Sequence, residues 1–138
     1  MTSYSPTKND VTSETIKSRK RIKELEKELS NPKIKGQTKI VEEIAIEQTK
    51  IYLWQKGYWI LREQQLRGPA DLYAYKILHY KKVEYFIDCK GIHSKANYKP
   101  AFKARISKFP IRDKILNRIQ SIVYKNQIKF KDLKNKEV

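Results

Sequence analysis

Two carboxylates and a lysine near the middle of the sequence have the types and spacing that could do chemistry. Asp71 opens one predicted strand, and Asp88 and Lys90 lie two residues apart near the end of the next. Because side chains alternate between the faces of a strand, Asp88 and Lys90 should share a face, while Cys89 points to the core. A hairpin through His79–Lys82 would pair the two strands. The three charged groups would then converge on one spot.

The composition limits which other groups could join them. The chain has one cysteine and two histidines, so it has neither an internal disulfide nor a structural zinc site, and any metal must be held by oxygen ligands. An Asp-x-Lys tripeptide is weak evidence in a lysine-rich chain, and Asp132-Leu133-Lys134 is an accidental copy. Asp88-Cys89-Lys90 differs because it ends an aromatic and β-branched strand that follows a strand with another acid.

The elements before this pair must position it. The spacing of apolar residues predicts a helix over Thr38–Lys56, ended by Gly57. Glu47 falls on its buried stripe, where a carboxylate is unfavourable unless it is paired or bound to a metal. Tyr58–Leu61 is predicted as a strand beside the motif pair. The predicted stripe consists of Ile40, Ile44, Ile51 and Trp54.

The order of helix, strand, acid-bearing strand, Asp-x-Lys strand and helix resembles the PD-(D/E)xK nuclease superfamily, and most closely the archaeal-type Holliday junction resolvases. Asp71 matches the first acid of the motif, and Asp71-Leu72-Tyr73-Ala74 echoes the start of its first strand. The resemblance covers roughly residues 36 to 91. It implies an α/β fold with a restriction-endonuclease-like mixed sheet flanked by helices, here with an extra N-terminal helix. It also implies a homodimeric, Mg²⁺- or Mn²⁺-dependent endodeoxyribonuclease of DNA recombination and repair, selective for DNA structure.

The resemblance also implies roles for individual residues. Asp71 and Asp88 would hold the metal, with the backbone carbonyl of Cys89 as a further ligand. Lys90 would orient the attacking water or stabilise the developing charge. A helical glutamate lies near the motif acids in this family, and Glu47 is the first choice for it.

Each of these assignments has a structural alternative. Glu43 is the second choice for the helical acid. Glu47 could instead pair with a buried lysine or arginine, and Asp88 and Lys90 could form an exposed ion pair on the sheet face.

The charge of the chain predicts a polyanionic partner, and DNA is the first candidate. The formal net charge is +16, and residues 91–138 hold thirteen Lys/Arg against three acids, which is +10 of that total. A general enrichment in lysine is the alternative, but residues 37–90 carry nine Lys/Arg against seven acids. Candidate contacts to nucleic acid lie in the loop after the first strand and beyond Gly91, and surface positions without function are their alternative. They are Arg62, Arg67, Lys95, Lys99, Lys103 and Arg105.

Three segments describe the chain as a whole. Residues 1–35 are predicted as a polar tail, disordered to residue 12, and a basic helix over Ser13–Leu29 that docks, dimerises, contacts phosphates or is simply solvated. Residues 36–130 form the nuclease-like domain, with a helix over Ile111–Tyr124 that turns Arg118 outward and a short edge strand at Ile128–Phe130. Residues 131–138 are a charged tail.

The N-terminus and the lengths of the apolar runs predict the cellular location. The N-terminus lacks the pattern of a signal peptide, and no apolar run approaches the roughly 20 residues of a membrane span, so the chain is expected to be intracellular. A non-catalytic nucleic-acid-binding or genome-packaging protein is the alternative to a nuclease.

Overall fold

A mixed six-stranded sheet organises the computed structural model, which describes residues 3–4, 6–31, 37–62, 70–92, 118–124, 127–132 and 137–138. The strands run in the order β1, β3, β4, β5, β6, and β2 pairs with β3 along the same edge as β1. The elements are β1 (Ser3–Tyr4), α1 (Lys8–Leu29), α2 (Gln37–Gln55), β2 (Trp59–Arg62), β3 (Leu72–Leu78), β4 (Lys81–Ile92), β5 (Arg118–Tyr124) and β6 (Gln127–Lys131).

Strands β2, β3 and β4 form an antiparallel meander, and β5 then pairs with β4 in parallel. The predicted α/β class with a mixed sheet is therefore confirmed, and the arrangement is compatible with a sheet flanked by helices. The predicted β3–β4 hairpin is present, with its turn confined to His79 and Tyr80, since Lys81 and Lys82 already pair with β3. Both residues have positive φ, 52° and 63°, as a two-residue turn of the right twist requires.

Helix α2 packs on one face of the sheet and carries α1 on its outer side. Its residues Ala45, Ile46 and Leu53 are buried in one cluster with residues of β3, β4 and β5. Of the predicted stripe, Ile40 and Trp54 are buried, whereas Ile44 and Ile51 are only half-buried. A single stripe was the wrong expectation because α2 is covered on two sides. The sheet residues of the cluster are Leu72, Ala74, Ile87, Cys89, Ile119 and Val123.

Helix α1 differs from its prediction at its start and in its buried face, for which the apolar spacing predicts Ile16, Ile22, Leu25 and Leu29. It begins at Lys8, because Thr7 accepts a hydrogen bond from the Asp10 N–H and the Asp10 side chain bonds back to Thr7. The prediction of disorder up to residue 12 is therefore wrong for residues 8–12, which belong to α1. Ile16 is 63 % exposed. The buried stripe is Thr15, Ser18, Ile22 and Leu25.

Two elements near the C-terminus test the sequence patterns directly. The helix predicted over Ile111–Tyr124 is wrong for residues 118–124, which form β5, and its earlier part lies outside the described residues. Since β5 lies between β4 and β6 and is buried on both faces, its apolar residues do not alternate cleanly with polar ones. The predicted edge strand is confirmed as β6. In the part of the chain that is described, no helix is long and apolar enough to cross a membrane.

Replacement of Gly91 is expected to destabilise the fold. A Cβ at this position would lie 2.4 Å from the Val41 carbonyl oxygen and 2.6 Å from Val41 Cγ1, so α2 would have to move off β4. We expect Gly91→Ala to lower the free energy of unfolding by about 1–3 kcal/mol, as overpacking does. Chemical denaturation would measure it, with Lys81→Ala, an exposed change on the same strand, as the control. Equal stability of the two variants would contradict the close approach.

Candidate active site

Two of the predicted site residues, Asp88 and Lys90, lie on the sheet face that is turned away from α2. Ile87 and Cys89 belong to the core beneath α2, so strand alternation places Asp88 and Lys90 on the opposite face. We call this the distal face. Asp88 is half-buried and Lys90 is exposed, and they share this face as the sequence predicted.

Asp71 is fastened to β4 next to Asp88. Its N–H donates to the Ile87 carbonyl at 3.0 Å, and its Oδ2 accepts the Cys89 N–H at 2.8 Å. The hydrogen bond that its carboxylate accepts extends the strand pairing beyond Leu72, the first residue of β3. The two acids of the motif therefore lie on neighbouring strands at the same level of the sheet. We call Asp71 and Asp88 the acid pair.

Arg118 supplies the positive charge at the acid pair. Its guanidinium contacts the Asp88 carboxylate, and the two side chains are only 10 % and 15 % exposed. Burial lowers the pKa of Arg118, and the negative charge of Asp71 opposes that shift, so the arginine lies within the field of both acids. Like charges on neighbouring strands repel, and a cation between them offsets the repulsion.

The sequence assigned Arg118 to the outer face of a helix, and this was wrong. As a strand residue it faces Phe86 across the parallel pair, two residues before Asp88. The signal that could have found it is the run Ile119–Tyr124, whose β-branched and aromatic residues are typical of a buried strand.

The two candidate helical acids have different partners. Glu47 is buried, and both of its oxygens lie 3.3 Å from Lys50 Nζ. This is the ion pair that the sequence analysis gave as the alternative to metal binding by Glu47. Glu43 accepts two hydrogen bonds from Arg62, at 2.7 and 2.9 Å. Since Arg62 pairs with Leu72, the residue after Asp71, Glu43 is the helical acid joined to the motif strands.

Cys89 contributes its backbone to the site and its side chain to the core. The thiol is buried close to Thr49 and Ser121, whose hydroxyl oxygens lie 2.9 Å apart. Burial raises the pKa of Cys89 to about 12, and hydrogen bonds from Ser121 and Thr49 only partly oppose the shift. The side chain is therefore a neutral thiol at neutral pH, which suits packing and not metal binding.

The donor set fits a divalent cation only in part. Among the residues that the structure describes, no group of three or more His, Cys, Asp or Glu side chains could hold a metal ion. The acid pair offers two hard carboxylate donors, which is the type that Mg²⁺ and Mn²⁺ take, and the field at this point already favours a cation. A metal ion here would share or displace the contact of Arg118 with Asp88.

The remaining predicted contacts to nucleic acid divide into two groups. Arg62 lies at the end of β2, and its side chain is 43 % exposed while it binds Glu43. The others, Arg67, Lys95, Lys99, Lys103 and Arg105, lie outside the described residues.

Comparisons with known proteins do not identify the chain. No protein-family model matches it, and neither the curated proteins nor the solved structures contain a significant match.

Removal of Arg118 is expected to unmask repulsion within the acid pair. Arg118→Met keeps much of the side-chain volume but leaves Asp88 half-buried without its cation, and loss of one partner of such a pair destabilises by about 3–5 kcal/mol. Adding Asp88→Asn should restore much of the lost stability. Denaturant unfolding of the two single variants and the double variant would give the coupling. Additive effects would mean that the two side chains do not interact.

The raised pKa of Cys89 has a consequence for stability at high pH. The unfolded chain ionises its thiol near the ordinary value of 9, whereas the folded chain holds the proton until about pH 12. Stability contributed by the neutral thiol should therefore be complete below pH 9 and should fall as the pH rises from there. Comparison with Cys89→Ala would separate this loss of stability from the loss that titration of tyrosines and lysines causes in the same pH range. A thiol reagent at pH 8 should modify wild-type Cys89 only after unfolding, and rapid modification of the folded protein would contradict this burial.

Proposed function

We propose that this protein is a metal-dependent nuclease that hydrolyses DNA phosphodiester bonds. The observation that carries the proposal is the hydrogen bond from the Cys89 N–H to Asp71, which holds the first acid against the Asp-x-Lys segment. The order of α2, β2, β3 with Asp71 directly before it, and β4 with the Asp-x-Lys segment also supports it. Restriction-endonuclease-like architecture and kinship with archaeal-type Holliday junction resolvases belong to the same proposal.

Each site residue has a task in this reaction. Asp71 and Asp88 would hold Mg²⁺ or Mn²⁺, which when bound neutralises a phosphate and lowers the pKa of a coordinated water. Lys90 is exposed on the same face and can donate hydrogen bonds from Nζ to an oxygen of the scissile phosphate. The guanidinium of Arg118, which contacts Asp88 beside the acids that would hold the metal, has N–H groups that could bind a phosphate.

The charge of the chain supports DNA as the partner. A net charge of +16 attracts a polyanion and speeds its encounter with the protein. Selectivity for branched DNA and a homodimeric state are the finer parts of the proposal, because two symmetric cuts need two equivalent sites.

A non-catalytic nucleic-acid-binding protein is the second candidate, and two observations favour it. Asp88 is already neutralised by Arg118, and the buried Glu47 by Lys50. Both acids would then serve the fold, and the positive charge would perform the function. This candidate predicts DNA binding that does not depend on metal and no cleavage with Mg²⁺ or Mn²⁺.

Substitutions of the acid pair and of Lys90 should separate cleavage from binding. Asp71→Asn, Asp88→Asn and Lys90→Ala should each lower the rate of cleavage by about 10²-fold or more, because each removes a group that acts at the phosphate, and should leave DNA affinity nearly unchanged. The assay would follow junction, duplex and single-stranded DNA with Mg²⁺, with Mn²⁺ and with chelator.

Glu14→Gln is the matched control, since it removes one carboxylate from the exposed surface of α1. Wild-type cleavage by all three site variants would rule out this active site. Binding without cleavage by the wild-type protein would favour the second candidate. Glu43→Gln and Glu47→Gln, assayed side by side, would show whether either helical acid contributes.

A further inference from the structure

The distal face carries a continuous group of aromatic and apolar side chains beside the acid pair. Strand pairing sets Tyr75 opposite Trp59, and Tyr73 between Leu61 and Phe86. Tyr73, Tyr75 and Phe86 are half-buried, and Leu61 is 61 % exposed. We call Trp59, Leu61, Tyr73, Tyr75 and Phe86 the aromatic face.

The aromatic face adjoins the acid pair directly. Tyr73 follows Asp71 by two residues on one strand, and Phe86 precedes Asp88 by two residues on the next. Two residues of a strand span about 7 Å, so the first rings lie one side-chain row from the carboxylates. Tyr75 lies one row further. A nucleic-acid strand that lies across these rings would therefore lead to the acid pair.

The rings are ordered by contacts with one another and with charged groups. The Tyr73 and Tyr75 rings are stacked with centroids 5.5 Å apart, and the Phe86 ring lies 4.9 Å from Tyr73. Lys82 Nζ lies 5.5 Å from the Tyr73 centroid and 5.7 Å from that of Tyr75. The Tyr73 hydroxyl donates to Glu84 at 2.5 Å, and Glu84 pairs with Lys82 at 3.1 Å.

Positive charge lies along this row. Lys82 Nζ lies over the Tyr73 and Tyr75 rings, and Lys90 lies beyond the acid pair on the same strand, both exposed and both on the distal face. Eight residues separate them on β4, which corresponds to about 26 Å along the backbone. Aromatic rings beside cations suit a single strand, because the rings stack on bases while the cations contact the phosphates.

We propose that the aromatic face stacks the unpaired bases of a nucleic-acid strand and so delivers its backbone to the acid pair. The inference rests on the nucleic-acid substrate proposed above and names its class, a single strand or an unpaired segment. A continuous duplex keeps its bases stacked inside and cannot offer them to a flat row of rings. The face therefore discriminates between unpaired and paired nucleic acid.

Ring removal should weaken binding to a single strand and spare binding to a duplex. Tyr73→Leu and Tyr75→Leu keep apolar bulk but remove the ring, and each should lower affinity for a labelled single-stranded oligonucleotide by about 5- to 150-fold, the equivalent of one stacked base. Affinity for the duplex of the same sequence should change by less than about twofold if its bases do not touch this face. Fluorescence anisotropy in chelator would measure both without cleavage.

Two further variants separate stacking from other effects. Tyr73→Phe removes the hydroxyl bound to Glu84 but keeps the ring, so it should lose less affinity for the single strand than Tyr73→Leu, and an equal loss would assign the effect to the hydroxyl and overturn stacking by this ring. Tyr80→Gly removes an 80 % exposed tyrosine at a turn position of positive φ, outside the aromatic face, and should also have no effect.

A second measurement uses only the wild-type protein. Photocrosslinking to a single strand with halogenated uracil should label Tyr73 or Tyr75. Labelling elsewhere, or wild-type affinity in both leucine variants, would overturn the proposal. A shift of the leucine variants to a smaller species in sedimentation, with unchanged DNA affinity, would assign the face to contact between copies of the chain. Since these assays need no cleavage, an inactive wild type that still shows ring-dependent binding would disprove the nuclease and not this inference.

Discussion

The proximity of two carboxylates on adjacent strands is the constraint on which the site depends. Asp71 and Asp88 repel each other wherever water does not screen them, and the fold provides two groups that offset this repulsion. One is the Cys89 N–H, which donates to Asp71, and the other is the guanidinium of Arg118 at Asp88. The second exists only because β5 pairs with β4 in parallel and in the register that sets Arg118 opposite Phe86. The electrostatics of the site therefore depend on the topology of the sheet.

Neutral polar groups join the elements of the core beneath α2. The Thr49 hydroxyl donates a hydrogen bond to the Ala45 carbonyl, and its oxygen lies 2.9 Å from that of Ser121. A buried polar contact therefore connects the helix to β5. Such a contact fixes the relative position of helix and strand more narrowly than apolar packing alone. At the other end of α2, Val41 approaches the backbone of Gly91 closely. Together these contacts fix the position of β4 relative to α2, and with it the position of Asp88.

The sequence allowed the hairpin, the helix α2 and the shared face of Asp88 and Lys90 to be predicted, because local periodicity determines all three. It misidentified β5, since Ile119 and Ile122 satisfy a helical spacing as well as a buried strand and the pattern alone cannot separate them. The partner of Asp88 was missed for the same reason. The burial of Glu47 was visible in the helical stripe, but its pairing with Lys50 depends on side-chain geometry that a spacing does not encode. The early start of α1 was encoded in Thr7 and Asp10, and the polar character of the segment concealed it.

The small strand β1 has a consequence for the order in which the chain is completed during synthesis. Ser3 pairs with Leu78, so its partner is translated 75 residues later. At about 5–20 residues per second the ribosome needs roughly 4–15 s to supply that partner. Helices α1 and α2 are finished well before this and contact each other locally, so a helical hairpin can form while the edge of the sheet does not yet exist. The N-terminal residues thus enter the fold after the helix that follows them, and β1 closes the edge of β3 behind a core that is already being assembled.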